Sequence, residues 1–284
     1  MPDFFSRISI SNPWLDGVAG KLSALIEPIV GHDVPYAFRD ILYGTWLGHP
    51  LHPPMTDITI GAWTTSMALD LFGEESGADL ALELGTLSSL GTAITGAAQW
   101  YDLQNDEEPR RLGALHAALN STALGFYIAS IALRRKDHRA AGIMTAWTGH
   151  ALVTASGYVG GHLSFGLGAG VDREAFDYPP TKWTDTIADT DLPDGKLTRV
   201  DLDDASIMLL KQAGTVYATS AVCTHVGAPL NKGDLDGYCV TCPWHYSVFD
   251  VRDGKAIHGP ATASLAAYDT RITDGTVQVR LRQA

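Results

Sequence analysis

The chain of 284 residues carries a formal net charge of −12, is 45% hydrophobic, and has only 18% charged residues. That acidity excludes nucleic acid as a partner, because neither half of the chain offers the basic patch a polyphosphate requires. The length predicts two domains.

In chain order, residues 1–53 form an N-terminal segment without the charged start and apolar core of a signal peptide. Within it Trp14, Leu15, Val18, Leu22, Leu25, Ile26 and Ile29 fall on one helical face, which predicts an amphipathic helix lying on a membrane or on a bundle. Residues 54–163 read as an all-α transmembrane four-helix bundle. Residues 112–133 and 140–171 contain no Asp, Glu, Lys or Arg, and about 20 apolar residues suffice to cross a bilayer. Residues 54–72 and 79–100 are similar in length, with acids confined mostly toward their ends. A soluble bundle would need a polar outer face, and the third and fourth helices have no charges to place there. Gly85, Ser89, Gly91 and Thr95 recur at helical spacing and predict close helix contact.

The segment GHPLHPPMTD enters the first span, and with the four spans it resembles the DUF2231 family of membrane domains, which begins with an HPLHP signature. This resemblance covers residues 45–163 and implies a multi-pass protein of the cell membrane. Residues 164–181, rich in Gly, Asp and Pro, read as a linker. For orientation, the basic loop RRKDHR opposes Arg7, Lys21, Arg39, Arg110, Arg111, Arg173 and Lys182. Those seven, with the type of domain that follows, favour a cytoplasmic C-terminal domain.

Residues 182–284 change pattern. Short apolar stretches (SIMLLKQ, TVYATSAV, TVQVRLR) alternate with DG, KG and PDG turns, predicting short antiparallel strands. Between them, Cys223-x-His225 is followed after sixteen residues by Cys242-x-x-His245, each pair beside Gly227, Pro229 or Pro243. Two short loops that each present a thiol and an imidazole predict a metal site. The donor types are open to a single tetrahedral Zn, to a [2Fe–2S] cluster, or to unrelated core residues.

The loops CTHVGAPL and CPWHYSVFD resemble the two cluster-binding loops of the Rieske family. This resemblance implies an all-β iron-sulfur domain in which Cys223 and Cys242 hold one iron of a [2Fe–2S] cluster and His225 and His245 the other. It also implies that Gly259-Pro260 belong to a proline loop covering the cluster, and that Ser247 donates a hydrogen bond to a bridging sulfide. Phe249 stands where high-potential members carry a Tyr, and Ala228 and Trp244 stand where cytochrome bc members carry disulfide-forming cysteines. The chain therefore resembles the ferredoxin-like, disulfide-free branch. Cys239 is expected as a small apolar residue on a strand.

Together these readings predict a membrane-anchored one-electron carrier whose exposed His-ligated edge meets a redox protein partner. The alternative is a redox-sensing module without electron flux. A terminal oxygenase is not expected, since nothing after His245 leaves room for a second, mononuclear iron site. In the helical half, His49, His52, His116 and His162 are predicted at one membrane depth, with His150 about 18 Å deeper at 1.5 Å per residue. They read as interfacial helix caps, or, for some of His52, His116, His150 and His162, as a second site for bis-His haem b or a quinone.

Overall fold

The computed structural model describes residues 4–283; the first three residues of the N-terminal segment and the last of the C-terminal domain lie outside them. The chain divides into two compact units, one made of residues 1–34 and 51–169, the other of residues 35–50 and 170–284.

The helical unit contains α1 (Phe4–Ser11), α2 (Leu15–Val30), α4 (His52–Leu71), α5 (Glu75–Tyr101), α6 (Glu107–Arg134) and α7 (Arg139–Gly161); α3 (Tyr36–Tyr43) belongs to the other unit. Prolines in the first turn start α4, where a missing N–H costs nothing. The amphipathic helix predicted around residues 14–29 is α2. It packs through Ala19, Val18, Leu22 and Ile26 against Trp100 and Ala114, while Trp14, Leu25 and Ile29 remain exposed. The charge-free stretch 140–171 is not one helix, for α7 ends at Gly161 and a π-helical turn, His162–Gly166, follows.

Hairpins α4–α5 and α6–α7 repeat one another at a spacing of 64 residues. His52 Nδ1 bonds the Thr92 carbonyl at 3.0 Å, and His116 Nδ1 bonds the Ser156 carbonyl at 2.9 Å. The Ser66 hydroxyl donates to Ala78 O, as the Ser130 hydroxyl does to Gly142 O, both at 2.7 Å. Trp63 and Tyr127, also counterparts, stack with centroids 4.0 Å apart. Gly85 lies against the Trp63 indole and Gly91 against Met55, so closely that a Cβ at either would collide. The predicted small-residue contact is thus made.

Polarity in this unit runs inward. Thr59, Ser66, Ser89, Thr95, Ser130 and Ser156 are buried, while Leu84, Leu87, Leu90, Ile128, Met144 and Tyr158 are exposed. Thr64, Thr122, Thr145, Thr148 and Thr154, though exposed, each turn their hydroxyl back onto the carbonyl four residues earlier. At one end Arg134, 8% exposed, pairs with Asp70 and Asp79, and Arg139 joins them. Among the described residues no helix is long and apolar enough to cross a membrane. The inward Ser, Thr and Gly and these ion pairs keep each helix's average polarity high.

In the other unit, among the described residues, ten strands form two antiparallel sheets; short antiparallel strands are what the turn-punctuated pattern predicts. The larger has the order β1 (Thr184–Ala188), β10 (Thr276–Leu281), β9 (Ala267–Thr273), β4 (Thr215–Ser220), β3 (Ala205–Gln212), β2 (Leu197–Leu202). The smaller runs β5 (Asp234–Asp236), β6 (Cys239–Thr241), β7 (Val248–Asp250), β8 (Ala256–His258). The linker is fastened to this unit: Arg173 N donates to Thr224 O at 3.1 Å, and Tyr178 N to Asp204 O at 3.2 Å.

Candidate metal centre

Two loops, residues 223–228 after β4 and 242–247 between β6 and β7, have the same hydrogen-bond pattern. Each begins with a cysteine whose N–H donates to the carbonyl five residues on, Cys223 to Ala228 at 2.9 Å and Cys242 to Ser247 at 2.7 Å. Each then returns a bond from the fourth residue to the cysteine carbonyl, Gly227 to Cys223 and Tyr246 to Cys242. That fourth residue is left-handed in both, with φ of 85° at Gly227 and 62° at Tyr246. Gly227 adopts this at little cost, whereas a side chain there costs of order 1 kcal/mol, a strain typical of functional loops.

The pattern has a chemical consequence. In sequence the donors alternate Cys, His, Cys, His, but in space they group by kind. Cys223 and Cys242, each 1% exposed, are hydrogen-bonded to one another. That bond and then burial push the Cys223 thiol well above its usual range, so a positive metal is needed to draw both to thiolates. The His225 and His245 rings lie 5.1 Å apart at 88°. Among the described residues no group of three or more His, Cys, Asp or Glu gathers around one point as a single ion would require; the donors stand as two pairs.

The surroundings fix these loops. Both thiols sit in a core with Met208, Ala228, Leu230, Val240 and Phe249; Phe249, fully buried, brings no polar group there. Ser247, also fully buried, accepts the Ala261 N–H at 2.9 Å, tying the second loop to the segment after the cis Gly259-Pro260 bond. The Thr224 hydroxyl bonds Ala263 O at 2.9 Å and ties the first loop to the same segment. Ala228 is buried, Trp244 half-exposed, and Cys239 half-buried on β6. Burial, and then Asp250, raise the Cys239 pKa.

The expected open imidazole edge is corrected in part. His245 is only 6% exposed, because α3 packs over its loop. Arg39, 1% exposed, brings Nη2 to 3.5 Å from the His245 carbonyl. The Tyr36 hydroxyl donates to Tyr246 O, and the Tyr36 ring stacks on His258 with centroids 4.3 Å apart. Asp40 accepts from His258 Nδ1 and from Gly259 N, both at 2.8 Å. Sequence reasoning missed this strap. Its residues lie some two hundred positions from the loops, and no local pattern signals so distant a contact.

The expected second site draws on some of His52, His116, His150 and His162. His52 and His116 occupy equivalent places in the two hairpins, each with Nδ1 on a carbonyl of the next helix. His150 instead meets the Tyr127 hydroxyl at 3.2 Å, and His162 stacks on Phe5 at 4.0 Å. His49 is exposed, its ring bonded to Pro50 O.

Comparison with known proteins assigns both halves. A family model described as a Rieske [2Fe-2S] domain matches residues 182–269, and one described as a predicted membrane protein (DUF2231) matches residues 48–173. The ferredoxin component of the naphthalene 1,2-dioxygenase system of Pseudomonas aeruginosa is 33% identical over 100 residues, covering 35% of this chain and 96% of that protein. The ferredoxin component of a 2,4-dinitrotoluene dioxygenase system from Burkholderia sp. (strain RASC) is 34% identical over 99 residues, 35% of this chain and 95% of that one. Among solved structures, the ferredoxin of carbazole 1,9a-dioxygenase from Nocardioides aromaticivorans IC177 is 27% identical, spans 36% of this chain and 99% of its own, and superposes with a TM-score of 0.34.

Proposed function

Since this chain belongs to the Rieske [2Fe–2S] family and carries a DUF2231 domain before its cluster domain, we propose that it is a membrane-seated one-electron carrier. The observation that carries the reading is the regrouping of alternating donors into a thiol pair and an imidazole pair at the tips of two equivalent loops. That set fits a two-iron cluster, with Cys223 and Cys242 holding one iron and His225 and His245 the other. When bound, the cluster supplies a reversible one-electron couple. The chain's residues do the rest. The core of Met208, Leu230, Val240 and Phe249 excludes water from the thiol side. Ser247, whose oxygen is engaged by the Ala261 N–H, keeps its own hydrogen to donate to sulfur. His225, half-buried, is the more accessible of the two imidazoles and the place for a redox protein to meet the domain.

The bilayer seat is supported by the inward polarity of the helical unit. Lipid-facing side chains must be apolar or satisfy their polar groups internally, and the exposed leucines and self-bonded threonines do both. A cytoplasmic cluster domain is favoured by Arg7, Lys21, Arg110, Arg111, Arg173 and Lys182. We carry one second reading, a quinone or haem b contact at the His52–His116 pair, favoured by their symmetric placement. Each Nδ1 is fixed by a carbonyl, an arrangement that presets an imidazole for ligation, although Asn120 already bonds His116 Nε2 at 3.1 Å.

The test is to purify the protein from membranes, count iron and sulfide, and titrate the visible and paramagnetic signals against potential. Two irons and two sulfides with a reversible one-electron wave, and reduction or oxidation by a ferredoxin reductase or a quinol, are expected. A single zinc, or a cluster that exchanges electrons with neither, rejects the carrier. A reduced-minus-oxidised spectrum without haem bands, together with no response to quinol, removes the second reading alone.

A further inference from the structure

The strap of residues 35–50 is the feature that the carrier reading leaves unused. In sequence it lies between α2 and α4, yet it packs with the cluster domain. Its side chains hydrogen-bond the His245 carbonyl, the Tyr246 carbonyl and the His258-Gly259 edge of the proline loop, all beside the proposed metal centre. Gly259 has no room for a side chain there, because a Cβ would stand 2.5 Å from Thr45 Oγ1.

One strap residue is out of place by ordinary packing rules. Arg39 is among the largest fully buried side chains, at 1% exposure. Arginine is almost never buried unless its charge is paired. The neighbours that hold this one are neutral: the His245 carbonyl at 3.5 Å, the outer limit of a hydrogen bond, and the faces of Tyr36 and Tyr43, whose ring centroids lie 5.8 and 5.7 Å from the guanidinium carbon. The one acid beside it in sequence, Asp40, spends both oxygens on His258 and Gly259. A guanidinium cannot shed its proton to escape, so a full positive charge is held in the interior beside the backbone of a proposed iron ligand.

We propose that Arg39 is a positioning residue for electron transfer. Carried in by the strap, its fixed charge stabilises the reduced, more negative state of the centre and holds the reduction potential above what the loops alone would give. This deepens the carrier reading and rests on it. At the effective dielectric of about 20 that suits protein interiors, a unit charge within about 12 Å shifts a charge-changing equilibrium by roughly tenfold or more. For one electron, a tenfold shift corresponds to about 59 mV.

The experiment uses the full-length protein with Arg39→Met, Arg39→Gln and Arg39→Lys. Iron and sulfide are counted on each, and the midpoint potential is read by titration of the visible signal. With the cluster loaded, Met and Gln are expected to lower the potential by about tenfold in the reduced-to-oxidised ratio, while Lys stays near wild type. Gln keeps a donor for the His245 carbonyl, so its agreement with Met assigns the effect to charge and not to loop geometry. A loaded Met or Gln variant at the wild-type potential overturns the proposal. Loss of the cluster from both neutral variants overturns it too, making Arg39 a structural prop. A wild-type protein without two irons and two sulfides instead refutes the cluster itself, a result the iron count separates from failure of the strap.

Discussion

Glu174, in the segment joining the two units, offers a pH dependence that can be worked from the structure. One carboxylate oxygen accepts the Ala266 N–H at 2.9 Å, and the Ser220 hydroxyl bonds it as well. Burial outweighs both, and with smaller contributions from Asp172 and Asp177 it pushes the pKa up to about 7 from 4.5. The folded state therefore holds a proton that the unfolded chain releases near its ordinary value. Protonation stabilises the fold fully below about pH 4.5, and this contribution is lost as pH rises through 7. The interval from 4.5 to about 7, at about 1.36 kcal/mol per pH unit, gives a change of about 3 kcal/mol across the window. Glu174→Gln keeps an oxygen for Ala266 and cannot ionise. Denaturant unfolding of the cluster domain at pH 5 and pH 8, wild type against variant, is expected to show them alike at pH 5 and the variant more stable by about 2–3 kcal/mol at pH 8. Taking the difference between proteins cancels titrations they share. Equal pH dependence in the two, or an infrared carboxyl titration of Glu174 near 4.5, would refute the reasoning.

Alanine at Cys223, His225, Cys242 or His245 is expected to abolish the cluster while Cys239→Ala keeps it, read as iron and sulfide per chain; retention in any of the four reassigns the ligands. The wild-type midpoint potential is expected in the lower half of the Rieske range of roughly −150 to +300 mV, because Phe249 supplies no donor, and Phe249→Tyr should raise it; a wild-type value near the top of that range contradicts this. Arg134→Met together with Arg139→Met strands Asp70, which is 2% exposed at the side chain and pairs with both, and should cost the helical unit about 3–5 kcal/mol, measured as the drop in its unfolding midpoint in detergent. An unchanged midpoint would show that the ion pair is offset by its own desolvation.

The metal centre was legible where chemistry is local. A C-x-H and a C-x-x-H loop state their donors within a few residues, and Gly227 announces the left-handed turn. Tyr246 makes the same turn without a glycine, so the equivalence of the loops appears only in their hydrogen bonds. The strap was illegible for another reason: the partners of Arg39 and Asp40 lie some two hundred positions away, where no local pattern points. A basic residue counted for topology proved to be a buried charge inside the cluster domain.

The helical unit shows the opposite case, a pattern visible along the chain. Freedom from charge over 112–133 and 140–161 was plain, and the helices duly form there. Apolarity averaged along a helix assumes that all its faces meet the same solvent. Here the inner faces carry Ser, Thr and Gly that bond or abut the neighbouring helix, and Leu84, Leu87, Leu90, Ile128 and Met144 are exposed. Among the described residues no helix is long and apolar enough to cross a membrane, because the polar inner face lowers the average that the exposed leucines raise. The 64-residue repeat was equally available, since His52, Ser66 and Gly85 recur as His116, Ser130 and Gly149. Each of these residues does the same work in its hairpin, His bonding a carbonyl across to the next helix, Ser bonding another, and Gly admitting a large aromatic ring. A duplication of this kind aligns chemistry by role, and it singles out Trp63 and Tyr127 as the contact where the two halves meet. It also explains why Asp70 and Arg134, at equivalent positions, carry opposite charges: like charges at that shared end would repel, and one reversal turns the same geometry into a buried ion pair.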